Sequence, residues 1–152
     1  MSEVNFRRYL RSDRSACLRI FDNNTPEFFA PNEPEDFQVF LDTMPPEYEV
    51  CEVARQVIGS YGVFQEHAGD THLHWILLDP SAQGRGIGSM IMERACTTAR
   101  NQGAEELLIT ASHRSAPFFA RFDAKEEKVT PDGWGKDMHR VDMRLVLTRP
   151  RR

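Results

Sequence analysis

A glycine turn set between a strand and a helix constrains this chain more than anything else in it. Gln83-Gly84-Arg85-Gly86-Ile87-Gly88-Ser89 follows the apolar segment Leu73 to Leu78 and opens a stretch with helical spacing, Met90 to Arg100. Glycines let backbone N–H groups approach a ligand without side-chain obstruction. The first turn of a helix has unpaired N–H groups and carries the positive end of the dipole. A strand, turn and helix start in this order make a site for a phosphate or pyrophosphate.

The rest of the chain gives that turn a setting. Val4 to Leu10 reads as a strand, and Asp13 to Phe21 as a helix with Ser12 or Asp13 as N-cap. Prolines 26, 31 and 34 prevent one continuous helix from Asn23 onward. A second helix spans Pro34 to Leu41. Tyr48 to Ala54 and Gln56 to Gln65 form a hairpin in which Gly59 and Gly62 weaken the second strand or mark bulges. Gly69-Asp70 turns the chain into a third strand, Thr71 to Leu78. After the glycine turn and its helix, which ends at Gly103, come a strand Glu106 to Ala111 and a short helix Ser115 to Phe122. Strands Lys125 to Val129 and Met138 to Leu147 close the sequence. The order β-α-α-β-β-β-α-β-α-β-β predicts an α+β fold with a mixed sheet of about seven strands and about four helices. A parallel pair is expected around the glycine-turn helix.

With 152 residues, 40% of them apolar, the chain is expected to form one domain over 1–152, with a core over 4–147 and a solvated basic tail over 148–152. A net charge of −4 gives no global basic field for nucleic acid. Cys17, Cys51 and Cys96 lack CxxC spacing, which fits a reducing compartment. No apolar run has membrane-spanning length and no signal-peptide pattern is visible, so a cytoplasmic location away from membranes is expected.

The known phosphate cradles discriminate. GxxxxGK[ST] is absent. GxGxxG fails, because its third glycine falls at Ser89 or at Ile91 depending on the starting glycine. Gln-x-x-Gly-x-Gly does fit, as Gln83, Gly86 and Gly88, preceded by Leu77-Leu78-Asp79-Pro80. This resembles the coenzyme A loop of the GNAT superfamily, the GCN5-related N-acetyltransferases, and the order of elements agrees over nearly the whole chain. The resemblance implies acetyl-CoA as co-substrate; no metal is expected. It implies that Leu77, Leu78 and Asp79 face the pantetheine arm. Gln83, Gly84, Arg85, Gly86, Ile87, Gly88 and Ser89 then surround the pyrophosphate, with Arg85 suited to charge-assisted hydrogen bonds.

His72-Leu73-His74 lies on the strand entering the turn. Alternation puts both imidazoles on one face, about 7 Å apart, and points Leu73, Trp75 and Leu77 the other way. A neutral imidazole accepts a proton from an ammonium near neutral pH. The residues alone leave two other readings: a polar strand face without chemistry, and a metal site, for which no third ligand is evident nearby. The family resemblance favours bases. His72 lies 11 positions before Gln83, where the histone-modifying branch carries its glutamate base, and the HLH tripeptide is similar to the histidine pair of the serotonin-acetylating branch. His67 and His113 read as lone loop histidines, and His139 precedes a strand without an assigned role.

The chain departs from the family pattern at Phe119, which stands where a tyrosine commonly protonates the thiolate. Ser112, Ser115 or water are the nearer substitutes, and Tyr61 a more remote one. Phe119, Phe118 and Phe122 have helical spacing and read as core that borders coenzyme A. The acceptor is expected over 23–42, where Glu27, Glu33, Glu35 and Asp36 accompany Phe28, Phe29 and Phe37, unless this is a solvated acidic helix on an apolar core. It is also expected near Thr130 to Met138, whose Pro131-Asp132-Gly133-Trp134-Gly135-Lys136 loop exposes a tryptophan at the acceptor mouth or a subunit interface. The expected function is acetyl transfer to a primary amine, small or peptidic, with a homodimer left open. The alternative is a catalytically weak acyl-CoA-binding sensor.

Overall fold

The computed structural model describes residues 3–25, 33–66 and 69–147. The expectations resting on Glu27, Phe28, Phe29, His67 and the basic tail lie outside these residues. Seven strands form one sheet: β1 (Val4–Arg8), β2 (Tyr48–Val53), β3 (Gln56–Gln65), β4 (Thr71–Leu78), β5 (Glu106–Ser112), β6 (Lys125–Gly135) and β7 (Met138–Val146). Their spatial order is β1-β2-β3-β4-β5-β7-β6, and only β4 and β5 run parallel. Four α-helices accompany them among the described residues: α1 (Arg14–Asn23), α2 (Pro34–Asp42), α3 (Ile87–Asn101) and α4 (Ala116–Ala120). The α+β architecture read from the sequence is the one observed.

Helices cover both faces of the sheet, and each face has its own apolar core. On one, Cys17, Ile20 and Phe21 of α1 and Phe37 and Leu41 of α2 pack on Tyr48, Val50, Val57 and Leu77. On the other, Ile87, Ile91, Met92 and Ala95 of α3 and Phe119 of α4 pack on Leu73, Leu107, Ile109 and Val141. Covering both faces explains why the middle strands read as near-continuous apolar runs.

Several boundaries differ from the sequence reading for identifiable reasons. The helix after the glycine turn begins at Ile87 rather than Met90, because Gly88 is accommodated within its first turn. Asp13 sits at the start of α1, but its carboxylate does not cap that helix. It accepts hydrogen bonds from both terminal nitrogens of Arg7 at 2.8 Å and from the Leu10 N–H at 2.8 Å. Burial alone raises the Asp13 pKa, yet the Arg7 guanidinium and the Leu10 N–H outweigh it and hold the carboxyl below the usual carboxylate range. Residues 131–135 are not a free loop, since β6 continues to Gly135 along β7.

The most consequential difference is in β4. Strict alternation places Trp75 and Leu77 opposite the histidines. Instead Trp75 has φ 48°, and the β3–β4 register shifts between Ser60 and Gly62. This bulge puts Trp75 on the α1/α2 side against Phe21, Phe37 and Phe40, with ring centroids 5.0–6.1 Å apart. Leu73 stays in the α3 core, and Leu77 joins the α1/α2 core. A left-handed tryptophan is strained by about 1–3 kcal/mol. Here it is held by Tyr48, whose buried hydroxyl donates to the Trp75 carbonyl at 2.5 Å and lies 2.8 Å from Ser60 Oγ.

Candidate active site

The parallel ladder between β4 and β5 is short. It pairs His72 with Leu108 and Leu73 with Ile109, and no pairing follows. Beyond it the two strands part, and a cavity of about 860 Å³ opens between them. One wall is the end of β4, Ile76 to Leu78, and the opposite wall is Thr110 to Ser112 of β5.

At one end of the cavity lies the glycine turn. Pro80–Ala82 forms a single 3-10 turn, and Gln83 is extended. Gly84 (φ 78°) and Gly86 (φ 77°) both take the left-handed conformation that L side chains rarely adopt. Nothing lies within 4 Å of where their Cβ atoms would stand, so the space over the turn is open. Gly88 serves another purpose: a Cβ there would meet the Phe118 ring at 2.9 Å, so its absence lets α4 close against α3. Gln83, Gly84, Gly86, Gly88 and Ser89 all line the cavity beside the N-terminus of a 15-residue helix. Free N–H groups and the helix dipole at this point can hold an anion.

The remaining expected contact residues divide. Leu77, Leu78, Ser112, Ser115 and Phe119 line the cavity. Ser112 and Ser115 form a reciprocal pair in which each backbone N–H donates to the other's hydroxyl, at 3.0 and 3.1 Å. Phe119 is buried in the core as well as facing the cavity. Asp79, Arg85 and Ile87 do not line it. The Asp79 carboxylate accepts from Ser81 Oγ at 2.9 Å, Ile87 is core, and Arg85 is exposed on the turn. Tyr61 is far from a proton-donor position. Its hydroxyl donates to Glu49 at 2.7 Å in the α3 core, and burial pushes its pKa up to about 12.

The histidine pair lies in the same cavity. The His72 and His74 rings are nearly parallel, 10° apart in plane with centroids 5.6 Å apart, on the face that also carries Phe64. Glu66, just beyond β3, is hydrogen-bonded to His74 Nε2. Sequence reasoning missed Glu66, although its signal was available. Phe64 pairs with His72 across the hairpin, and a residue two positions further along β3 shares that face. Gly62 opposes His74, and a Cβ on it would meet the Phe64 ring at 2.4 Å.

Around the rim, Glu33 is buried and lines the cavity, whereas Phe37 is core and Glu35 and Asp36 are exposed. Trp134 donates from Nε1 to the Ala111 carbonyl at 2.9 Å and also lines the cavity, with Arg140 5.7 Å from its ring centroid. His113 is not a lone histidine. Its Nδ1 accepts from the His139 N–H at 3.0 Å, and the two rings lie 4.7 Å apart.

Similar proteins fit this geometry. A profile of the acetyltransferase (GNAT) family matches residues 17–124. Over 63 residues the chain is 29% identical to glucosamine 6-phosphate N-acetyltransferase of Trypanosoma brucei brucei, a stretch that spans 40% of this chain and 43% of that relative. Among solved structures, Ard1 from Thermoplasma volcanium superposes with a TM-score of 0.81 at 14% identity, covering 96% of this chain and 99% of that one. N-acetylglutamate synthase from Neisseria gonorrhoeae, complexed with coenzyme A and N-acetyl-glutamate, superposes with a TM-score of 0.76 at 16% identity, covering 98% of this chain and 36% of that one. Among the described residues no helix is long and apolar enough to cross a membrane.

Proposed function

Because this chain belongs to the GNAT acetyltransferase family, we propose that it transfers an acetyl group from acetyl-CoA to a primary amine by direct attack. The observation that carries the reading is one continuous cavity, which joins the open glycine turn at the α3 N-terminus to the paired imidazoles of β4. The diphosphate of the donor rests on the backbone amides of residues 83–89. Arg85 reaches it from the exposed side of the turn, and the pantetheine arm runs between the parted strands toward His74. Similarly folded structures that hold coenzyme A support the choice of donor.

The chemistry follows from what a thioester needs. The acceptor arrives as an ammonium, and His72 or His74 takes its proton, directly or through a water. The free nitrogen attacks the carbonyl carbon, giving a tetrahedral intermediate; collapse breaks the C–S bond, and the extra proton still on the nitrogen passes through water to the departing sulfur. Holding amine and thioester together in the cavity supplies part of the rate. The thiolate that leaves is not strongly basic, since an ordinary thiol has a pKa of about 8.5. Phe119 has no proton to give it; the Ser112–Ser115 hydroxyl pair or water supplies the hydrogen bond instead.

The test is steady-state release of coenzyme A with an amine panel that includes amino-sugar phosphates, aminoglycosides, amino acids and peptide N-termini. Amine-dependent release that collapses in the His72→Ala/His74→Ala double variant supports the reading. Tight acetyl-CoA binding with no turnover on any amine favours a sensor, the second reading, for which Phe119 is the specific support.

A further inference from the structure

We propose that Glu66, His72 and His74 form a binding site for a divalent transition-metal ion of the zinc class, which silences the imidazoles while it is bound. Each residue offers one ligand atom, and these atoms all lie within 4.8 Å of one another. Two histidines at alternate positions of a strand are a rigid pair of nitrogen donors on one face. β4 is held on both sides by β3 and β5, and the two rings are already parallel. Glu66 supplies the carboxylate from the neighbouring chain segment, already hydrogen-bonded to His74 Nε2. A cation would take the place of the proton between that nitrogen and the carboxylate.

Imidazole and carboxylate together suit zinc, cobalt or nickel rather than magnesium or calcium, which prefer oxygen alone. Zinc with such ligands has bonds of about 2.0–2.2 Å, so the Glu66 carboxylate and His74 Nε2, now directly hydrogen-bonded, must part to admit the ion. The Glu66 side chain is exposed and lies beyond the end of its strand, which places it to make that adjustment. Three protein ligands leave a position open to the cavity. Glu66 stands six residues before His72 in the chain, across a turn.

An imidazole nitrogen that holds a cation has no lone pair for an ammonium proton. Occupancy therefore blocks the transfer step, a consequence that rests on the acetyltransferase reading, whereas binding itself does not. The chain stripped with chelator is titrated calorimetrically with Zn2+, and with Co2+ while its visible spectrum is recorded. One ion per chain is expected. His72→Ala, His74→Ala and Glu66→Gln should each weaken binding by at least about tenfold, the lower end of what loss of even an outer-sphere partner costs. His113→Ala, in the separate His113–His139 pair, should leave binding unchanged. Should a variant fail to fold, protection of His72 and His74 in the native chain from diethyl pyrocarbonate by Zn2+, read by mass spectrometry, decides instead. No one-to-one binding, binding undiminished by loss of either histidine, or no protection overturns the site. If turnover is observed, Zn2+ should slow it as the site fills and chelator should restore it. Full occupancy with undiminished turnover overturns the silencing while leaving the acetyltransferase reading intact.

Discussion

The two ends of the cavity are built on different principles. At the glycine turn the backbone is the working part: positive-φ glycines and the α3 N-terminus line the space, which is open over Gly84 and Gly86. At the histidine end side chains are the working part: His72 and His74 keep the alternation of a regular strand, and the backbone breaks only after them, with Trp75 at φ 48° and Gly62 clearing room for Phe64. A backbone site is specified by residue types that lack side chains, and these announce themselves in sequence. A side-chain site is specified by register, which can be shifted by one residue without leaving a mark.

The contrast can be broken experimentally, beginning with the largest effect. The His72→Ala/His74→Ala double variant should lose about 10²–10⁴-fold in turnover, the usual worth of general acid–base catalysis. Calorimetric affinity for acetyl-CoA should stay close to that of the unmodified chain. A matching loss of donor affinity would mean that the two ends are not separable.

Gly86→Val should do the reverse. A β-branched residue at φ 77° carries strain of about 1–3 kcal/mol, equivalent to roughly five- to 150-fold weaker donor binding if the turn must distort. Turnover at saturating acetyl-CoA should survive, and a fall in that quantity instead would contradict the division.

Tyr48→Phe probes the support of the bulge. It removes the donor to the Trp75 carbonyl and should cost about 1–3 kcal/mol, read as a lower melting temperature. Turnover should drop with it while donor affinity does not. The smallest effect is expected at Arg85→Ala. An exposed ion pair is worth about 0.2–1 kcal/mol, so donor affinity should fall no more than about fivefold, and less at high salt. A salt-independent loss would place Arg85 in a buried contact.

How far the sequence could be read follows the same line. β3 and β4 are legible to the residue, as Gln56–Gln65 and Thr71–Leu78, because β-branched and aromatic runs are bounded there by turn residues. The glycine turn is legible because three glycines, a preceding strand and a following helix agree. The continuation of β6 to Gly135 is not, since it rests on tertiary contacts such as the Trp134 bond to Ala111. Asp13 shows why a helix-capping residue is ambiguous: Arg7, on a neighbouring strand, offers its carboxylate a stronger partner than the helix does. Trp75 shows the deeper difficulty. Nothing in HLHWILL marks where alternation breaks, because the residue that stabilises the break, Tyr48, lies 27 positions earlier.

The close fit of Gly88 against Phe118 carries one more implication. It makes α4 a floor beneath the turn, and on the proposed reading the height of that floor would set how deep a diphosphate can settle. Phe118 in turn packs edge-on against Phe119 and Phe122, ring centroids 5.1 and 5.2 Å away. A bulkier or slimmer residue at any of these three aromatic positions would thus raise or lower the seat proposed for the donor.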